Sequence, residues 1–149
     1  MLFRSNLPLA EAIKLPGLRA VMAASGREAV RTALALGHEL VPIFGETRIE
    51  ANDPDGYATA LLDAVLDRWT LPDTRVTTLQ DWDKGRRAEI DAINGLVMRE
   101  QERLGGAAPV NAALVDIARR IERGELAAGP ANAEMLRALL DLRGDGAAP

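Results

Sequence analysis

The chain has 149 residues, of which 48% are hydrophobic and 27% charged, with a net charge of −4. That suits one soluble domain with a real core and argues against nucleic acid as the main partner. It contains no cysteine and one histidine, His38, which excludes disulfides, thiolate metal sites and multi-histidine metal centres and leaves a Ser-His-Asp triad without support. Aromatic residues are only 3% of the chain, so aliphatic side chains must build the core. No apolar run reaches the length of a membrane span or resembles a signal peptide, and the expectation is a cytoplasmic protein with no membrane partner.

In chain order, Pro8 to Leu15 reads as a short helix and Pro16 as a turn. Gly17 to Leu36 reads as a long helix, with Leu18, Val21, Met22, Ala29, Ala33 and Leu36 apolar and Gly37 as its terminator. Pro42, Gly45, Asn52, Pro54 and Gly56 mark a loop over Val41 to Asp55. Asp53 then caps a helix that has Pro54 in its first turn and runs to about Trp69. Thr77-x-x-Gln80 matches a capping box for a helix over Thr77 to Asp83. A further helix covers about Ala88 to Leu104 and stops at Gly105-Gly106. Pro109 opens the next, with a stripe of Val110, Leu114, Ile117 and Ile121. A last helix covers about Asn132 to Leu142, after breaks at Gly124 and Gly129-Pro130. No strand alternation and no internal repeat is present, so the fold class is all-α, a helical bundle.

The helix after Lys84-Gly85-Arg86-Arg87 is the most informative part of the chain. Glu89, Ile93 and Leu96 share one face at i, i+4 and i+7, and Ile90, Asn94 and Val97 share the neighbouring one. The spacing predicts a core position for Ile90, Ile93, Leu96 and Val97. It also puts Glu89 and Asn94 at or near that core and this helix at the centre of the bundle. Gly95, at a cost of about 1 kcal/mol in a helix interior, suggests close approach of another backbone.

Thr77-Thr78-Leu79-Gln80-Asp81, then KGRRAEIDAING, then Pro109-Val110-Asn111, resembles the C-terminal domain of the ketopantoate reductases (2-dehydropantoate 2-reductases). In that family a pattern close to S-M-x-x-D…G-R-x-T-E-I-D-x-I-N-G precedes a P-x-N helix start. The resemblance is dense from Leu71 to Glu125 and extends back to Ala10. It implies a helical domain over residues 10–143, between a tail at 1–9 and a frayed end at 144–149. Met1 to Ser5 has no place in the pattern and reads like the translated end of a sequencing adapter, so the expectation is a fragment with an artefactual start.

The resemblance further implies a parent enzyme that reduces 2-dehydropantoate to pantoate with NADPH, on the way to pantothenate and coenzyme A. Glu89 would contact the nicotinamide-side ribose, although spacing alone reads it as a capping or arginine-pairing glutamate. Thr77 would bind the substrate carboxylate, with Thr78 beside it in place of a common methionine. Asp81 would match the aspartate of the pattern, more as an orienting group than as a direct ligand. The bland readings are a packing amide with backbone partners for Asn94, packing roles for Trp69 and Trp82, and solvated faces for Lys84, Arg86, Arg87 and for Arg119, Arg120, Arg123. No strand–GxGxxG–helix turn occurs in the 149 residues, and the family's acid lysine segment has no counterpart. The expected partners are therefore a small keto-acid substrate and a missing Rossmann domain, with no catalytic residue and no metal ligand on this chain. The alternative is a free-standing, non-catalytic module that homodimerises through the helix face left uncovered.

Overall fold

Helix limits follow the punctuation of the chain. The computed structural model describes residues 8–43, 53–75, 80–82 and 84–144. Pro8 precedes α1 (Leu9–Ala12), which makes one turn before the chain winds through Pro16 into α2 (Leu18–Ala35). The helix expected to reach Leu15 stops early because a residue before proline avoids the helical conformation. Gly37, at φ 86°, closes α2 as expected. Helix α3 (Pro54–Arg68) starts as the sequence indicates, with the Asp53 carboxylate accepting the Gly56 amide at 2.8 Å. Helices α4 (Ile90–Arg103), α5 (Pro109–Glu122) and α6 (Ala131–Gly144) complete the chain, and among the described residues there is no strand. Thr77 lies outside the described residues; the other member of the expected capping box, Gln80, donates its side-chain amide to the Arg75 carbonyl at 2.9 Å.

Helices α2 and α5 form the middle of the bundle. Helix α2 touches α3, α4, α5 and α6, and α5 touches α2, α4 and α6. The main core joins Val21 and Ala24 of α2, Ile90 of α4, Leu136 of α6, Trp82, and Val110, Leu114, Val115, Ile117 and Ala118 of α5. A smaller cluster of Leu9, Ala12, Leu18 and Ala133 seals the α1 end. Each enclosed leucine or isoleucine contributes about 1.5–3 kcal/mol by leaving water.

The centre of the bundle is thus α5 and not the helix that follows Glu89. Helix α5 buries six residues, whereas α4 buries only Ile90, Asn94 and Gly95. Helix α4 carries Asp91, Arg99, Glu100, Glu102 and Arg103, and a helix so charged is not enclosed, because unpaired burial of charge is costly. Ile93 is 56% exposed and Leu96 49% exposed, contrary to the core positions expected for them. Val97 is half-buried, and Ile90 is buried as expected. Gly95 does not mark the approach of another helix either. A Cβ there would meet the Arg99 guanidinium, the Asp91 carboxylate and the Ile90 carbonyl, all within α4 itself. Trp69 is also displaced from its expected packing role, being 62% exposed at the end of α3.

Candidate functional site

The segment between residues 80 and 91 carries several of the residues singled out by sequence, Asp81 and Glu89 among them. Residues 80–82 form a helical turn that ends on Gly85. The Gly85 amide donates to the Trp82 carbonyl at 3.0 Å and the Arg86 amide to the Asp81 carbonyl at 2.8 Å. This pair of bonds is the Schellman closure, and it requires the left-handed φ of 67° that Gly85 adopts. The chain then turns into α4 with Glu89 at the N-cap position.

Glu89 is not at the core margin. It is exposed, and among the described residues its side chain has no hydrogen bond and no ion pair. Its carbonyl accepts the amides of Ala92 and Ile93, both at 3.0 Å, so the backbone is in place while the carboxylate is free. The neighbours of Glu89 are held on several sides. The Ala88 amide donates to Glu122 Oε1 at 2.9 Å. Ile90 is buried to 1% exposure. The Arg119 guanidinium donates to Asp91 Oδ1 at 2.5 and 3.0 Å. The result is an unpaired carboxylate on a fixed backbone at a helix N-terminus, where the helix dipole favours negative charge. Ile93 and Leu96 continue the same face.

Beneath that face lies a buried polar network. Asn94 Nδ2 donates to Asn111 Oδ1 at 2.7 Å, and Ser25 Oγ donates to the same oxygen at 3.0 Å. Asn111 Nδ2 in turn donates to Glu28 Oε2 at 2.7 Å and to the Ser25 carbonyl at 3.1 Å. Glu28 also accepts the Val110 and Asn111 amides at 2.8 and 2.9 Å. A carboxylate from α2 thereby caps the start of α5, whose own N-cap residue is Ala108. Asn94 is buried as expected, but its partners are side chains and not backbone. Its Oδ1 has no partner.

Asp81 is half-buried, and its carbonyl closes the Gly85 turn; its side chain has no partner among the described residues. Thr77 and Thr78 lie outside the described residues. Trp82 is buried, and its Nε1 donates to Glu122 Oε1 at 3.1 Å. Lys84, Arg86 and Arg87 are exposed. Arg87, Arg119, Glu122 and Arg123 line a hollow of about 260 Å³. Its cations are largely neutralised: Arg87 by Asp91 and Glu122, Arg119 by Asp91, and Arg123 by Glu125. Hydrogen bonding with Arg123 holds the Glu125 carboxyl below its ordinary range and raises the guanidinium above its own. Arg119 is thus a tie between α5 and α4 and not part of a solvated face.

Sequence reasoning missed Glu28 and Glu122. One signal was present: Ala108-Pro109 offers no side-chain acceptor for the α5 amides, so an acceptor must come from elsewhere. Among the described residues, no three His, Cys, Asp or Glu side chains are placed to hold a metal ion, and no helix is long and apolar enough to cross a membrane. Comparison with protein families matches residues 2–122 to the family described as ketopantoate reductase PanE/ApbA C terminal. No curated protein and no solved structure matches the chain.

Proposed function

This chain belongs to the ketopantoate reductase C-terminal family, and from that premise we propose that it forms the substrate-side wall of a reductase cleft. The other wall is a dinucleotide-binding Rossmann domain. The reaction is the NADPH-dependent reduction of 2-dehydropantoate to pantoate, a step toward pantothenate and coenzyme A. One observation carries this reading: an unpaired Glu89 carboxylate stands beside exposed Ile93 and Leu96 on one face of α4. Large apolar side chains left uncovered together call for a partner surface.

The free carboxylate fits a ribose diol, because two hydroxyls can donate to its two oxygens and charge-assisted bonds of that kind are strong. Bound NADPH supplies the hydride. Glu89 orients the sugar, and Ile93 and Leu96 shed water against the opposing domain. Thr77, with Thr78 and Asp81 close by in sequence, offers a hydroxyl to the keto-acid carboxylate. No GxGxxG motif lies among these 149 residues, so on this reading the pyrophosphate belongs to the partner domain. The same uncovered face supports a second reading, a non-catalytic homodimer joined through Ile93 and Leu96.

Joining the chain to a dinucleotide-binding domain of the same family tests the proposal. The joined protein is expected to oxidise NADPH with 2-dehydropantoate, while the chain alone shows neither turnover nor micromolar NADPH binding. Glu89→Ala should raise the KM for NADPH by roughly 5- to 150-fold, the worth of one strong polar contact. Thr77→Val should act on the KM for the keto acid. An unchanged KM for NADPH in Glu89→Ala removes Glu89 from the site. A dimer of the chain alone that dissociates on Ile93→Lys favours the second reading.

A further inference from the structure

We infer that Glu122, at the last turn of α5, is a positioning residue for the cleft, setting the distance between Asp81 and Glu89. Glu122 Oε1 accepts two donors that are six residues apart in sequence. Trp82 Nε1 reaches it at 3.1 Å and the Ala88 amide at 2.9 Å. Trp82 directly follows Asp81, and Ala88 directly precedes Glu89. One carboxylate therefore ties Trp82, next to Asp81, to the start of the Glu89 helix. The Glu122 side chain is only 12% exposed, and Arg87 approaches its second oxygen at 3.4 Å from the solvent side. The indole of Trp82 is packed in the main core, so the anchor does not swing. Backbone bonds around Gly85 and the ion pairs of Arg87 also hold the loop between these points. Without Glu122 nothing described on another element would fix the Ala88 amide, and Glu89 would lose one of its neighbouring anchors.

The inference rests on the reading of Glu89 and Asp81 as cleft residues, and the test separates the two. In the ¹⁵N-labelled chain, Glu122→Ala should shift the Trp82 indole N–H resonance and speed exchange of the Ala88 amide by about tenfold, one hydrogen bond's worth. Amides of Val115 and Ala118 in the middle of α5 should be unaffected. Glu122→Gln keeps an oxygen acceptor and should restore both signals. With the dinucleotide-binding domain joined, Glu122→Ala should raise the KM for NADPH and for the keto acid together, each by about 5-fold or more, and Glu122→Gln should recover most of the loss. Unchanged Trp82 and Ala88 signals overturn the inference. So does exchange that accelerates equally throughout α5, which would make Glu122 a general stability residue, and so do unchanged KM values despite a loosened loop. If Glu89→Ala raises the KM for NADPH and Glu122→Ala does not, only this inference fails. If Glu89→Ala is itself without effect, the cleft reading fails.

Discussion

The two faces of α4 are built from similar residues and do opposite things. One face sets Ile90 and Asn94 against α2 and α5, with Ile90 1% and Asn94 6% exposed. The other shows Glu89, Ile93 and Leu96 to the outside. Both faces carry isoleucine plus one polar residue, so hydrophobicity alone does not separate them. The difference is in the polar residue. The inward amide finds partners in Asn111 and Ser25, whereas the outward carboxylate finds none among the described residues. The inward face pairs its amide donor within the chain, and on the reading proposed above the outward carboxylate is kept free for a docking partner.

The largest test of that contrast is Ile90→Ala, expected to cost about 2–5 kcal/mol of folding stability, as other large core deletions do. Chemical denaturation of the purified variant measures it, and a loss under about 1 kcal/mol would mean that the inward face is not a core face. Next comes Asn111→Ala, which strips Asn94 of its closest partner and Glu28 of a donor; about 1–3 kcal/mol is expected from the orphaned groups. Asn94→Leu should cost less, because the Asn94 Oδ1 is already without a partner. A larger loss for Asn94→Leu than for Asn111→Ala would reverse the order of dependence in the network.

On the outward face, Ile93→Ser should change stability by no more than about 0.5 kcal/mol, the usual range for an exposed site. A cost above 1.5 kcal/mol would bury Ile93 and abolish the distinction. The smallest expected effect lies away from both faces. Glu125 should titrate below an ordinary glutamate because Arg123 hydrogen-bonds to it. A carboxyl lowered in the folded state contributes stability above its unfolded value and loses it as pH falls through the lowered one. That contribution is small because the pair is exposed and screened. Carboxyl NMR resonances that titrate identically in the parent chain and in Arg123→Gln would remove the pairing.

Much of the bundle was legible because its signals are local. Asp53-Pro54, Gly37, Pro109 and Gly105 act within one helical turn, and each helix end lies close to where they place it. The facing of α4 was not legible. Ile90 and Ile93 lie only about 60° apart around the helix (three residues at about 100° each), so both neighbouring stripes satisfy an apolar periodicity. Nothing in that periodicity tells a face that meets the chain's own core from one that meets another surface. Trp82 could be placed as a packing residue, but its hydrogen bond to Glu122 spans 40 residues. The Glu28 cap spans 82 residues to Val110. No window of sequence contains both ends of such contacts. Glu89 was singled out by its family pattern rather than by its spacing, and spacing misplaced it because a lone carboxylate among isoleucines looks buried.

The long reach of the Glu28 cap has a consequence for the order in which the chain folds. Helices α4 and α5 are joined by a short turn and can pair early, since closing a short loop costs little entropy. At that moment the first amides of α5 and the Asn111 side chain lack their carboxylate. Only when α2 docks does Glu28 arrive. A contact made that late weighs on the unfolding rate more than on the folding rate. Glu28→Ala is therefore expected to leave refolding kinetics almost unaltered while the native chain opens faster. The cap works as a latch: it does little to bring the helices together and much to keep them from coming apart.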